Sequence, residues 1–545
     1  MKKDKAINLA IDNVIKEGLT DIFDRPFEVD FLNELGIRKE VFNEVLTSLK
    51  DYDLSNLKIN PLEYVLMPKN EMFDFRRCAL IQPLDTIKYT SLVLIIADEI
   101  EKKRVMKRRK KVFSYRFKPE NGYLFDKKYN FTSFRSYVSE KTKQDKVKVL
   151  VECDISNFYD RLNLHRLESI LRSIEGIDDK VIKLLNELLI FWSNRDSYGL
   201  PVGCNASRIL AEASLIEVDN FLLSKDVEFT RFVDDYRLFA PNARIANRWL
   251  SLLIKKLNEE GLFLNTKKTV FKDVSNNKKG VLCNDEKLKS ELNNKNIVSN
   301  KDELEIQQSM RVMSSYSGTI PRKFREATEK EIDEIKTSVN IEKLFLTVEG
   351  AIIINPADFK LLIKSIIYLE RYEYLEKVPD LLEKAPQFIP YFIDVLIKYE
   401  EKIPDEMGKS IKEKFSKWFE ENELPEYILI YIARLLGNKK YQNIDILFNS
   451  FINLKRNAGS YIGRVLLEEL QGNLERGRVI EIKGYYLRSN MWEKRQITNI
   501  INSSLFEDEK RPWLKNVEIN SNDIFEKGIF KKYKPNKNKR VNRRK

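Results

Sequence analysis

Asp154 and the pair Asp234-Asp235 are the side chains of this 545-residue chain whose type and spacing suit metal-assisted chemistry. Val147, Val149, Val151 and Cys153 recur with the two-residue period of a strand, which delivers Asp154 at its C-terminal end. Ile155-Ser156-Asn157-Phe158-Tyr159-Asp160 follows. Downstream, Phe232-Val233-Asp234-Asp235 lies among apolar residues, and the pattern predicts a hairpin over Phe229–Ala240 with the acids in its turn. Between these blocks stands Gly199-Leu200-Pro201-Val202-Gly203, with Ser207 and Leu210-Ala211 after it, a Gly/Pro loop running into a helix. Carboxylates on rigid strands can hold two divalent cations about 3.5–4 Å apart, the arrangement nucleotidyl transfer needs. One cation lowers the pKa of an attacking hydroxyl; the other neutralises a triphosphate and its departing pyrophosphate. An Asp-Asp pair alone is common in turns as capping or solvated residues. The joint order of strand, loop and turn carries the assignment. Asp154 and Asp234 are the bridging ligands, with Asp235 in support.

The elements around these residues fall into blocks. Residues 1–72 read as a mostly helical extension, with Ile7, Ala10, Ile11 and Ile15 at near-helical spacing. Arg77 to Pro83 reads as a short strand stopped by Pro83, and Ile87–Lys103 as a helix. Lys102–Lys118 carries ten Lys/Arg and no acid, with Phe113, Tyr115 and Phe117 alternating. Those rings either stack on bases beside a basic surface, or belong to the core under a solvated face. Further helices run to Trp192, and Leu250–Leu257 lies on another. Residues 276–300, rich in Asn and Lys, form a connector in which Val281-Leu282-Cys283 has the makings of a short strand. Residues 301–515 read as helical. Asn355-Pro356 is a cap followed by proline at the first helical position, and Phe359, Leu362, Ile363, Ile366 and Ile367 mark one apolar face. Pro390 and Pro425 open comparable helices, 34 and 35 residues apart from one proline to the next, close to the period of a two-helix repeat. That spacing suggests a stacked array, HEAT-like in style; an irregular helical domain is the plainer reading. Residues 516–545 read as a basic disordered tail, Lys527–Lys545 holding ten Lys/Arg and no acid. The tail either binds nucleic acid nonspecifically or only aids solubility.

Composition narrows the classes. With 43% apolar and 33% charged residues the chain is globular, and its +13 charge and pI near 9.1 favour a polyanionic partner. Cys78, Cys153, Cys204 and Cys283 form no CxxC pair, and His165 is the single histidine. A Cys/His zinc site and a serine-protease triad are thereby excluded. Reduced core thiols and a structural His165 are expected. No export signal or membrane-length apolar run is visible, so a cytoplasmic protein with no membrane partner is expected.

Taken together the blocks have the layout of a palm-type polymerase and resemble reverse transcriptases over about residues 73–275. The acidic turn of that family usually reads Tyr-x-Asp-Asp; here Phe232 stands at the tyrosine position, keeping the ring and losing the hydroxyl. The resemblance implies an α+β fingers-and-palm fold followed by the helical domain, and Mg2+ as two ions, with Mn2+ able to substitute. It implies that Tyr159 is the aromatic gate against ribose, and that Gly199, Pro201, Gly203 and Ser207 position template and nucleotide. Lys268 matches a lysine near the leaving pyrophosphate, with Lys267 competing for the register. Arg77 matches a fingers arginine gripping the triphosphate, with Arg76 as competitor.

No RNase H-like acidic set, zinc endonuclease, integrase or protease block is apparent. Val112-Phe113-Ser114-Tyr115-Arg116 and the long helical C-terminal part resemble the bacterial abortive-infection and defence-associated reverse transcriptases. That resemblance implies trimers or hexamers, dNTP substrates, a DNA product with or without an RNA template, and priming from a tyrosine. Two rivals are a retron- or intron-type enzyme copying a dedicated RNA, and a catalytically silent nucleic-acid-binding scaffold.

Overall fold

The computed structural model describes all residues except 21–24, 69–74, 195, 276–323, 325, 422–423, 455–460 and 533–545. The chain separates into two units. One comprises Met1–Leu62 and Ala79–Ser315, the other Glu63–Cys78 and Tyr316–Lys545.

In chain order the strands are β1 (Glu63–Pro68), β2 (Phe75–Leu80), β3 (Phe117–Glu120), β4 (Tyr123–Phe125), β5 (Val149–Asp154), β6 (Phe229–Phe232), β7 (Asp235–Ala240) and β8 (Val270–Asp273). The first unit is built on a four-stranded sheet in the order β6-β7-β5-β8, with β5 antiparallel to both β7 and β8. The expected alternation holds only in part: Val151 and Cys153 are buried on one face and Val149 is half-buried, whereas Val147, which precedes the strand, packs with Leu150, Phe239 and Val274 on the other. The helix Ala243–Glu259 lies against β5 and β7, and Phe131–Thr142 against β6 and β7. Helices Lys3–Glu17, Leu35–Ser48 and Pro83–Lys103 pack on one another. Pro83 does not merely stop a strand. It occupies the first turn of the helix that the sequence placed from Ile87, where a missing N–H has no intrahelical partner to lose.

The second unit is helical apart from the paired strands β1 and β2. Asn355 caps Pro356–Tyr368, and Phe359, Leu362, Ile363, Ile366 and Ile367 are all buried, as their spacing predicts. Helix Ile389–Lys398 packs on Glu426–Gly437, which packs on Ile462–Leu470, then Met491–Ser504, then Ile524–Lys532. The intervening helices include Asp405–Glu421 and Ile444–Ile452, which touch each other. Polar bonds repeat at the same interval. Lys384 donates to the Glu349 carbonyl at 2.7 Å, Lys414 to Asp380 at 3.1 Å and Lys440 to Asp405 at 3.0 Å, while Glu426 accepts from the Tyr461 N–H at 2.6 Å. Each joins residues 34 or 35 positions apart.

Two boundaries differ from the sequence reading. β1 packs on the helix Glu426–Gly437, and Phe75 meets Tyr427 edge-on at 6.4 Å between ring centroids. Residues 75–78, expected with the fingers, thus associate with the helical unit. The expected disordered tail begins too early: Glu507–Asn520 and Ile524–Lys532 are helices, the latter anchored by buried Phe525 and Ile529. Val281-Leu282-Cys283 and the connector beyond Ser275 lie outside the described residues.

Candidate active site

Asp154 is the last residue of β5 and stands opposite Asp235, the first residue of β7. The Ile155 N–H donates to the Asp234 carbonyl at 3.1 Å, so the acidic turn is clipped to the strand end just past Asp154. On the other side Ser156 N–H donates to the Phe263 carbonyl at 2.7 Å, and Asn265 N–H to the Asp154 carbonyl at 2.8 Å. This brings the short 3-10 turn Thr266–Lys268 alongside, and Lys268 Nζ lies 3.3 Å from Asp154 Oδ2. Of the two lysines, Lys268 is the one the structure shows in contact with Asp154.

Arg237 contacts Asp235 and lies 3.6 Å from Glu152; Lys272 reaches Glu152 at 3.1 Å. Burial pushes the Asp235 carboxyl above its usual range; Arg237 opposes this, while the like charges of Asp154 and Glu152 add to it. Asp154, Asp234 and Asp235 offer hard carboxylate oxygens, the donor type that suits Mg2+ or Mn2+. Among the described residues no three His, Cys, Asp or Glu side chains are gathered closely enough for one ion. The donor chemistry fits a divalent cation; Lys268 and Arg237 are the cations beside it. Cys153, next to Asp154, faces the core, and burial pushes its thiol up to about 12. It is an inert spacer.

Tyr159 lies on the helical turn Phe158–Arg161, buried, its ring 5.5 Å from that of Phe158. The glycine loop runs against it. Leu200 N–H donates to the Tyr159 carbonyl at 2.9 Å, and Gly199 N–H to the Leu162 carbonyl at 2.8 Å. Gly199 and Gly203 have φ of +98° and +122°, conformations that require glycine. Pro201 between them is buried.

Ser207, expected to face template or nucleotide, is fully buried, its hydroxyl 3.1 Å from the Tyr89 hydroxyl and 3.3 Å from Cys204 Sγ. It holds its helix to Pro83–Lys103 instead. The Phe232 ring is buried among Tyr115, Phe131 and Phe134 at centroid distances of 5.3–6.0 Å. Arg77 belongs to the second unit, with its guanidinium 3.5 Å over the Tyr64 ring. His165 bonds Ser197 at 3.0 Å, a local surface contact.

For the basic stretch Lys102–Lys118 the structure bears out the second of the two readings. Phe113, Tyr115 and Phe117 are core rings, not exposed stacking platforms. Arg104 and Arg116 are buried and share Glu101, and Arg104 also pairs with Glu212 at 2.6 Å. Glu212 in turn meets Arg231 at 2.9 Å, and Arg231 is bidentate to Asp219 at 2.7 and 2.8 Å. Burial opposes the Arg231 charge, but Asp219 and Glu212 outweigh it and hold its pKa well above the ordinary value. Three guanidiniums thus meet three carboxylates, which is how charge is kept in a core. Arg108, Arg109 and Lys110 remain exposed. Glu152 and Arg237 escaped sequence reasoning although period two put each on the face of Asp154 or Asp235. The buried network left no local signal.

Residues 100–279 match the family described as Reverse transcriptase (RNA-dependent DNA polymerase). The match covers about a third of the chain and holds Asp154, Tyr159, the glycine loop, the acidic turn and Lys268, but not Arg77. No curated protein matches the sequence. Among solved structures, telomerase from Candida albicans in complex with the TWJ fragment of telomeric RNA is similar at 14% identity and TM-score 0.30, over 69% of this chain and 66% of that one. Apo telomerase from Candida tropicalis is similar at 11% identity and TM-score 0.32, over 73% of this chain and 74% of that one. The family match over residues 100–279 identifies a reverse transcriptase domain, which indicates RNA-directed DNA polymerase activity.

Proposed function

We propose that the chain uses its reverse transcriptase domain to add dNTPs to a growing DNA strand, with Asp154 and Asp234 as the carboxylates that would hold two divalent cations and Asp235 in support. The carrying observation is the register that sets Asp154 opposite Asp235 with Asp234 clipped beside it. When bound, Mg2+ would supply the Lewis acidity that activates a 3′-hydroxyl and neutralises the triphosphate. The chain's own residues do the rest. Lys268 supplies positive charge, and a proton donor, where pyrophosphate departs. The buried Tyr159 ring limits room at the ribose 2′-position. Gly199 and Gly203 let backbone approach template and nucleotide closely.

A silent binding scaffold is disfavoured, since clustered acids repel one another and serve no binding need. The finer reading is an antiphage enzyme of the abortive-infection type, working as a homo-oligomer, either template-independent and protein-primed or copying an RNA. What supports it is the helical unit, whose interlocked helices and 34- or 35-residue bond interval suit a HEAT-like array. The test is to purify the full chain, follow Mg2+-dependent incorporation of labelled dNTPs, and analyse any nucleic acid that copurifies. Incorporation lost in Asp154→Asn and Asp234→Asn supports the metal assignment; near-normal incorporation in both overturns it. Covalently attached DNA supports protein priming, and a single copurifying RNA species favours the retron-like alternative.

A further inference from the structure

Val233, at the tip of the acidic turn, has φ +57°. The left-handed region is rare for any residue but glycine or asparagine, and a β-branched side chain there is a true outlier. Its peptide groups are held on both sides by buried side chains. The Val233 N–H donates to Ser114 Oγ at 2.9 Å, and the Val233 carbonyl accepts from Arg231 Nη1 at 3.1 Å. Ser114 and Arg231 are both 0% exposed.

One carboxylate coordinates the two clamps. Ser114 Oγ donates to Glu212 Oε1, while Arg231 Nη1 and Arg104 Nη2 approach Glu212 Oε2 at 2.9 and 2.6 Å. An ionised carboxylate only accepts, so the single hydroxyl proton of Ser114 is committed to Glu212 and its lone pairs are left for the Val233 N–H. Glu212 therefore orients the Ser114 hydroxyl so that its lone pairs face the Val233 N–H. Backbone contacts lock the frame: Arg231 N–H donates to the Lys111 carbonyl at 2.7 Å and Phe113 N–H to the Arg231 carbonyl at 3.0 Å, with Val112 bridged to Arg231 as a parallel neighbour of β6.

We propose that Ser114, oriented by Glu212, is a positioning residue of the polymerase: it holds Val233 left-handed and thereby fixes the peptide that presents Asp234 to Asp154. Ser114 itself takes no part in the chemistry. The inference rests on the reading of the acidic turn as the reacting centre. Without the clamp, Val233 relaxes toward negative φ, the Val233–Asp234 peptide turns, and the bond from the Ile155 N–H to the Asp234 carbonyl that holds Asp234 at the end of β5 is lost. A glycine at position 233 adopts the same conformation unaided, so it makes the clamp dispensable.

The experiment measures kcat and KM for dNTP incorporation in the full chain with Asp154→Asn as reference, then in Ser114→Ala, Val233→Gly and the double variant. Expected are a kcat at least tenfold lower in Ser114→Ala with KM for dNTP within about threefold, and recovery of most of that loss in the double variant. Ser114→Cys, which keeps the shape with a weaker acceptor, serves if the alanine variant does not fold; its smaller loss should also be recovered by glycine at 233. Losses that simply multiply, or a Ser114→Ala enzyme within twofold of wild type, overturn the clamp while leaving the polymerase intact. A wild-type chain whose incorporation is insensitive to Asp154→Asn overturns the reading of the turn and the clamp with it.

Discussion

Tyr159 and Lys268 flank Asp154 from opposite directions and differ in burial, so their replacement should separate two effects. Tyr159 is 4% exposed, packed against Phe158, with the glycine loop on its carbonyl. Tyr159→Ala should raise rNTP incorporation relative to dNTP, because the ring that crowds a 2′-hydroxyl is gone while the carboxylates stay. Competition between labelled rNTP and dNTP reads this directly, and an unchanged ratio reduces Tyr159 to packing. Lys268 is 62% exposed, its Nζ 3.3 Å from Asp154 Oδ2. Lys268→Ala should leave thermal stability unchanged, since exposed pairs contribute little, yet slow single-turnover incorporation by about 10²-fold if the ammonium serves the leaving group. Loss of stability without loss of rate would assign it to the fold. The residue types of this site were readable from the chain, whereas the choice of Lys268 over Lys267 came from a 3-10 turn that local pattern does not specify.

At the scale of elements, the glycine loop and the β1–β2 pair each carry a testable strain. Gly199 has φ +98°, and a Cβ there would meet the Asp160 carbonyl at 3.6 Å, so space is ordinary and the backbone angle is the obstacle. Gly199→Ala should destabilise the fold by about 1 kcal/mol or more and lower incorporation, measured by denaturant unfolding and initial rates. On β1, burial and then the like charges of Glu426 and Glu493 push the Glu63 carboxyl up to about 7. The unfolded chain ionises Glu63 from near 4.5, so between about 4.5 and 7 the folded state holds the extra proton, and stability falls as pH rises through that window. Glu63→Gln should therefore stabilise the full chain at pH 8 by about 1–2 kcal/mol after allowance for solvent screening, and by little at pH 4.5. Equal gains at both pH values would show that the charge is not the cause.

For the whole molecule the relevant quantity is charge that remains in solvent. The ten bases of Lys102–Lys118 overstate it, because Arg104 and Arg116 are paired with Glu101 and Glu212 inside the core. Arg108, Arg109 and Lys110 are not. Binding of single-stranded DNA should weaken steeply between 50 and 200 mM salt, and reversing those three to Glu should flatten the slope of log K against log salt by about 2. Fluorescence anisotropy across that range checks it; an unaltered slope moves the nucleic-acid path elsewhere. Among the described residues no helix is long and apolar enough to cross a membrane.

The sequence by itself determined the order of the catalytic blocks, the strand that ends at Asp154, the acidic turn between two strands, the capped helix at Asn355-Pro356 and the near-35-residue rhythm of the C-terminal part. Each is written in a local signal: period two, a Gly/Pro punctuation, a cap, a proline interval. Tertiary structure alone decided the fate of Lys102–Lys118, the burial of Ser207, the attachment of residues 75–78 to the helical unit and the clamp on Val233. The physical reason is the same in each case. A basic residue reads as surface until a carboxylate meets it in the core, and Glu212 lies 108 residues from Arg104 and 98 from Ser114. Such partners are set by the folded sheet and not by the neighbouring sequence.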